Sequence, residues 1–140
     1  MTPEQRGVID TNVVINLADV AVESLPDEPV ITAITLAELA VGPLVANCDD
    51  ERAARQQRLV AVAADFESLA FDSACARAFG TVAAGLRGAG RKSVARAFDA
   101  LIAATALAHR LPLYTENIDD FRGIDGLEVH RVLVDRVMSN

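Results

Sequence analysis

The stretch FDALIAATALAHRLPLYT, residues 98–115, contains two elements that decide the fold of this chain. Its first part is an apolar helix, because residues 97–108 are all apolar except Thr105 and one acid, Asp99. The segment LPLYT (111–115) follows directly and is typical of a short buried strand. A core helix that leads straight into a strand is characteristic of chains in which helices and strands alternate.

Asp99 is the unusual residue of this helix. A buried carboxylate without a partner costs several kcal/mol, so it persists only when it is paired, hydrogen-bonded or bound to a metal. On a helical wheel Asp99 shares its face with Ala95, Ala103 and Ala106, which leave room beside it. The alternative is an ion pair with Arg96, although an acid C-terminal to its base is the weaker order for such a pair.

The remaining segments extend this alternation. Predicted strands cover 7–10, 29–34, 68–71, 111–115 and 127–133. Helices are predicted after the first strand, from Thr35 onward, over 49–66, from Asp72 or Ser73 to about Gly88, and over the segment of Asp99 that Ser93 can cap. We therefore expect a single α/β domain over residues 1–140, with a mostly parallel sheet of about five strands and helices on both faces.

Several helix starts and one turn are predicted from local signals. Thr35 and Glu38 have the spacing of a capping box, and Asp49 or Asp50 is expected to cap the helix over 49–66. The glycines at 85, 88 and 90 match no dinucleotide fingerprint and indicate a flexible turn.

Composition limits the class of protein. The chain has 140 residues, 51% hydrophobic and only 4% aromatic, which predicts one aliphatic core. A net charge of -7 argues against polyanion binding over the whole surface but allows a local basic patch. We expect a cytoplasmic protein without membrane association, because no apolar signal core or spanning run is present. Cys48 and Cys75 form no CxxC motif or Cys/His cluster in the sequence and are expected to be free thiols.

Polar residues follow three of the predicted strands. In parallel sheets ligands bind beyond the carboxyl ends of the strands, where Asp10 and Thr11, the segment 35–38 and the segment 115–120 should lie. Each has a local alternative, since such residues also cap helices and form turns. Several carboxylates in one cleft repel each other unless a divalent cation neutralises them, and oxygen ligands favour Mg²⁺ or Mn²⁺ over zinc. Such a centre serves phosphodiester hydrolysis.

Three segments carry a resemblance to a known family. VIDTNVVI (8–15), ITLAELAVG (34–42) and FDALIAATALAHRLPLYTENIDDF (98–121) resemble, in order and spacing, the motifs of PIN-domain ribonucleases. They are most similar to the VapC toxins of bacterial toxin–antitoxin pairs. The resemblance extends over residues 8–133.

The resemblance implies a set of site residues. It makes Asp10 and Asp99 metal ligands and Glu38 the second acid of the site. For the fourth acid it leaves Asn117, Asp119 and Asp120 open, with Asp120 the acid we assign. The catalytic set is then Asp10, Glu38, Asp99 and Asp120, and the supporting polar residues are Thr11, Thr115, Asn117 and Asp119.

The resemblance also implies partners and a cofactor. We expect an Mg²⁺-dependent endoribonuclease, with Mn²⁺ as a substitute, that acts as a homodimeric toxin and is inhibited by a cognate VapB-type antitoxin. A basic segment before the Asp99 helix supplies candidates for contact with RNA phosphates, namely Arg91, Lys92 and Arg96. A solvated basic loop is the alternative for these residues.

Two other functions are compatible with parts of the sequence. A phosphatase of the haloacid-dehalogenase type is suggested by DTN (10–12) after the first strand, but Asn12 cannot serve as its second acid. A non-catalytic binding partner is the other, in which the acids are only caps and salt bridges.

Overall fold

A five-stranded sheet forms the centre of the structure, a computed structural model that describes residues 5–88 and 95–135. Its strands are β1 (Arg6–Ile9), β2 (Glu28–Thr32), β3 (Ser68–Leu69), β4 (Leu113–Thr115) and β5 (Val129–Arg131). Their order is β3-β2-β1-β4-β5, and all neighbours are parallel. In the central strand Val8 and Ile9 point to opposite faces and both are fully buried, as expected when helices cover both sides.

Helices cover the two faces of the sheet. They are α1 (Thr11–Ile15), α2 (Ala33–Leu44), α3 (Asp49–Asp65), α4 (Ser73–Gly88) and α5 (Ala95–Ala108), with short 3-10 helices at Leu17–Asp19, Val22–Ser24 and Ile118–Phe121. Residues of α4 and α5 pack with Val8, Val30 and Leu113 on one face. Residues of α1, α2 and α3 pack with Ile9 and Ile31 on the other. The predicted α/β class, with a parallel sheet between two helical layers, is confirmed.

The predicted N-cap of α2, Thr35, is wrong by three residues. β2 ends at Thr32, whose extended backbone makes it the N-cap of α2, and its hydroxyl accepts a hydrogen bond from the Thr35 backbone N–H at 3.3 Å. Thr35 is therefore already in the first helical turn, and the capping box with Glu38 does not form. Glu38 therefore lies well inside α2, and its carboxylate does not cap the N-terminus of the helix.

The predicted N-caps of α3 and α4 and the predicted glycine turn are confirmed only in part. α3 begins at Asp49 with Cys48 at the N-cap position, so Asp49 and Asp50 lie in the first turn, where acids favour the helix dipole. Asp72 does cap α4, since its Oδ1 accepts from the Cys75 backbone N–H at 3.0 Å. Gly85 lies inside α4, not in a turn: a Cβ there would meet the Gly123 carbonyl oxygen at 2.4 Å, so glycine permits this close approach.

No helix in the described part of the chain is long and apolar enough to cross a membrane. Both cysteines are free thiols, as predicted; Cys48 is exposed and Cys75 is buried.

Candidate active site

The register of the sheet places the first acid next to the end of β4. Ile9 lies opposite Tyr114, and the Asp10 backbone N–H donates to the Tyr114 carbonyl at 3.2 Å. Asp10 and Thr115 are therefore neighbours at the carboxyl edge of the sheet. This is the edge at which parallel sheets bind ligands.

Asp10 is a buried carboxyl group, with only 5% of the residue exposed. It caps α1, since its Oδ1 accepts from the Val13 backbone N–H at 3.1 Å. Its pKa is raised to about 6, chiefly by burial, while hydrogen bonds from Thr115 and Val13 lower the pKa and the nearby charges of Asp99 and Glu116 add to the rise. The expected cap is therefore present, but it does not offset the cost of burying an acid beside two other acids.

Glu38 reaches the site through two threonines. The Thr11 hydroxyl donates to Glu38 Oε1 at 2.7 Å and lies 3.0 Å from the Thr35 hydroxyl. Because the single proton of Thr11 is used on Glu38, the Thr35 hydroxyl is the donor in the second bond. Thr11 and Thr35 are both buried, so this chain of hydroxyls holds the carboxylate of α2 against the start of α1.

Asp99 lies near the beginning of α5 and is half-buried. It is close enough to Asp10 for its charge to raise the pKa of that carboxyl. Ala103 and Ala106 on its helical face are fully buried, in agreement with the small side chains expected there. The structure therefore brings acids from β1 and α5 together, although they are distant in the sequence.

Glu116 is an acid of the site that the sequence reasoning missed. It directly follows β4, its charge raises the pKa of Asp10, and its Oε1 accepts from Asn16 Nδ2 at 2.9 Å. The signal was available, because the segment 115–120 was singled out as a strand end. The family resemblance, however, places its fourth acid among residues 117–120, which do not include Glu116.

The remaining residues of this loop have different surroundings. Asn117 is exposed, and its backbone N–H donates to the Thr115 hydroxyl at 3.2 Å. Asp119 is exposed and forms a salt bridge of 2.7 Å with Arg122. Asp120 is half-buried in the 3-10 helix that follows Asn117. Among the acids after β4, Glu116 carries a charge that raises the pKa of Asp10.

The residues expected to contact RNA are not part of this geometry. Arg91 and Lys92 lie outside the described residues, and so does the side chain of Arg96. Their role as phosphate contacts stays a prediction.

The groups that interact with Asp10 are chemically suited to a hard divalent cation. They are carboxylate and hydroxyl oxygens, from Asp10, Asp99, Glu116 and Thr115. Oxygen donors with several negative charges are the set that Mg²⁺ and Mn²⁺ prefer. A cation beside Asp10 would also oppose the burial and like-charge effects that raise its pKa.

Comparison with known proteins identifies the family. The PIN domain family matches residues 7–127. The chain belongs to the PIN-domain family. Ribonuclease VapC5 of Mycobacterium tuberculosis is 39% identical over 142 residues, covering 94% of this chain and 98% of that protein. Ribonuclease VapC4 of the same organism is 33% identical over 130 residues, covering 89% of this chain and 95% of that protein.

A solved structure has the same fold. The structure of VapBC-5, a member of the VapBC family of toxin–antitoxin systems from Mycobacterium tuberculosis, matches with a TM-score of 0.78 and 37% identity. The match covers 90% of this chain and 98% of that chain. The resemblance seen in the sequence is confirmed, and membership of the PIN family favours a nuclease over the phosphatase and over a non-catalytic binding module.

Proposed function

We propose that this chain is the toxin of a type II toxin–antitoxin system, an endoribonuclease that depends on a divalent metal, with Mg²⁺ as the working ion and Mn²⁺ as a substitute. One observation carries the proposal: a buried acid, Asp10, lies beside Asp99 and Glu116 at the carboxyl edge of a PIN-domain sheet. The identity to two ribonucleases over nearly the whole chain supports the reaction class.

Asp10 and Asp99 are the residues we assign to hold the metal, with Glu116 as a further acid at the same place. When bound, the metal lowers the pKa of a water molecule and stabilises negative charge on the phosphodiester. The Thr115 hydroxyl and the Val13 N–H keep the Asp10 carboxylate in one orientation. Asn16 does the same for Glu116.

Glu38 has a separate task in this proposal. Its Oε1 accepts from Thr11, so the carboxylate is fixed in orientation and its other oxygen is the group we assign to orient the attacking water. The threonine chain from Thr35 to Thr11 supplies that rigidity, which catalysis by positioning requires. Asp120 remains in the proposed catalytic set as an acid of the loop after β4, with Asn117 and Asp119 as polar neighbours.

The substrate is RNA and the inhibitor is a VapB-type antitoxin. The solved relative is a member of the VapBC family of toxin–antitoxin systems, which supports such a partner. The net charge of -7 is better suited to a cationic segment of an inhibitor than to RNA. Bound divalent ions reduce the repulsion of RNA. We also propose a homodimer in the cytoplasm.

RNA cleavage by the purified protein tests this function. We expect cleavage with Mg²⁺ or Mn²⁺, none in EDTA, and a loss of at least about a hundredfold in Glu38→Gln, which retains the acceptor for Thr11 but not the charge. The matched control is Asp50→Asn, an exposed acid in the first turn of α3 and outside the proposed site, which should cleave as the wild type does. Cleavage that continues undiminished after chelation, or full activity of Glu38→Gln, would contradict the proposal.

A further inference from the structure

A second group of metal-ligating atoms lies away from the acids at the sheet edge. A carboxylate oxygen of Asp72, the sulfur of Cys75 and a ring nitrogen of His109 all lie within 4.8 Å of one another. His109 is ten residues beyond Asp99 in the direction of α5, which corresponds to about 15 Å of helix. The two groups therefore occupy opposite ends of α5.

The local structure holds each of the three residues in place. Asp72 caps α4 by accepting from the Cys75 N–H at 3.0 Å, which keeps the acid beside the cysteine. The Cys75 side chain is fully buried, with its sulfur 3.6 Å from the Ala70 carbonyl oxygen. The His109 backbone N–H donates to the Thr105 carbonyl at 3.1 Å, so it continues the hydrogen bonding of α5. Asp72 and His109 are both exposed, which opens the group to solvent.

The charges of these groups balance a divalent cation. The pKa of Asp72 is lowered by hydrogen bonds from Cys75, with His109 contributing, so the acid is ionised at neutral pH. Burial raises the pKa of Cys75, so its sulfur carries a proton in the metal-free protein. One carboxylate, one thiolate and one neutral imidazole together carry two negative charges. That sum neutralises one divalent ion.

We propose that Asp72, Cys75 and His109 form a second metal site, which binds a borderline transition ion such as Zn²⁺ with water as the fourth ligand. Sulfur and imidazole select such ions over Mg²⁺. With bonds of about 2.0–2.3 Å, tetrahedral ligand atoms stand roughly 3.3–3.8 Å apart, so the three ligand atoms need to approach one another by at most about 1–1.5 Å. The thiol proton of Cys75 passes to solvent as the Zn–S bond forms.

A metal ion at the proposed site would link the start of α4 to the end of α5. Asp72 and Cys75 belong to the beginning of α4, whereas His109 follows the end of α5. The two helices pack together on one face of the sheet, and Asp99 lies near the other end of α5. Zn²⁺ at this end would stabilise the helix that carries Asp99 without taking part in RNA cleavage.

Titration with Co²⁺, a spectroscopic substitute for Zn²⁺, tests the site in protein held at saturating Mg²⁺. Mg²⁺ occupies the oxygen site, and only sulfur ligation produces the near-ultraviolet band of thiolate-to-cobalt charge transfer. We expect one equivalent of Co²⁺ to produce this band and one equivalent of Zn²⁺ to remove it. In the same buffer Zn²⁺ should raise the melting temperature.

Matched variants separate ligation from folding. Cys75→Ser should abolish the band. Asp72→Asn keeps an acceptor for the α4 cap and should weaken Co²⁺ binding about tenfold or more. His109→Gln, at an exposed position, should weaken Co²⁺ binding to a similar extent. The control Cys48→Ser removes the exposed cysteine and should leave the band unchanged. Absence of the band in the wild type, its loss in Cys48→Ser, or equal Zn²⁺ shifts in the wild type and His109→Gln would overturn the proposal.

Discussion

Replacement of Asp10 by asparagine should change how stability depends on pH. Burial raises the pKa of Asp10 from 3.8 to about 6, so the folded chain holds this proton more tightly than the unfolded chain does. Without metal, the wild type therefore loses stability as pH rises from about 4 to about 6. That rise in pKa corresponds to about 3 kcal/mol by the conversion of 1.36 kcal/mol per pKa unit. The amide that replaces the carboxyl group in Asp10→Asn cannot ionise, and its oxygen can still accept from the Val13 N–H.

Urea unfolding in EDTA measures this effect. The free energy of unfolding of Asp10→Asn minus that of the wild type should rise by about 2.4 kcal/mol between pH 4 and pH 7.5, because the remainder of the effect lies below pH 4. Comparing the two pH values cancels any fixed cost of the amide. Asp119→Asn, which loses an exposed salt bridge worth about 0–1 kcal/mol, should show no such step. A difference between Asp10→Asn and wild type that stays constant across this range would refute the reasoning.

Three further changes test other residues of the site. Asp99→Asn should leave the free energy of unfolding of the metal-free protein no lower. It should also lose most of the stabilisation that Mg²⁺ gives the wild type, which is about 2.7 kcal/mol at a hundredfold excess over Kd. A loss of roughly 3–5 kcal/mol in EDTA would instead indicate that Asp99 forms a buried ion pair. Glu116→Gln, which can still accept from Asn16, should move the pH step of Asp10 to lower pH and weaken Mg²⁺ binding; an unmoved step in urea unfolding would separate Glu116 from the site. Replacing Arg91 and Lys92 together by alanine should weaken RNA binding and flatten its salt dependence in a filter-binding assay, whereas an unchanged slope would make them solvated residues only.

The order of elements was predictable because it depends on local patterns. Runs such as Val8 and Ile9 or Leu113 and Tyr114 are short, apolar and followed by polar residues, so strands and the sheet edge could be placed from the sequence. Asp99 could be singled out because no cap explains an acid inside an apolar helix. These predictions needed no knowledge of contacts between distant segments.

Other features depend on contacts that local patterns do not encode. The spacing of Thr35 and Glu38 is that of a capping box, but α2 begins at Ala33. Glu38 instead accepts a hydrogen bond from Thr11 in α1. Glu116 acts on Asp10 because β1 and β4 pair in one register.

The packing of α4 against α5 also creates a contact that local sequence patterns do not predict. His109 has no metal-ligand spacing to Asp72 or Cys75 in the sequence. Packing of the two helices brings it to Asp72 and Cys75. All of these contacts depend on how the helices and strands pack against one another, which the periodicity of the sequence does not reveal.

We propose that Asp10 and Asp99 form one metal centre and that its occupancy controls RNA cleavage. The most direct measurement is a Mn²⁺ titration in which bound ion, by electron paramagnetic resonance, and RNA cleavage rate are followed on the same samples. Wild-type cleavage should rise in proportion to the bound ion, and Asp99→Asn should shift both curves to higher Mn²⁺ together. Cleavage that is complete before the ion binds, or an Asp99→Asn protein that binds Mn²⁺ as the wild type does, would contradict the claim.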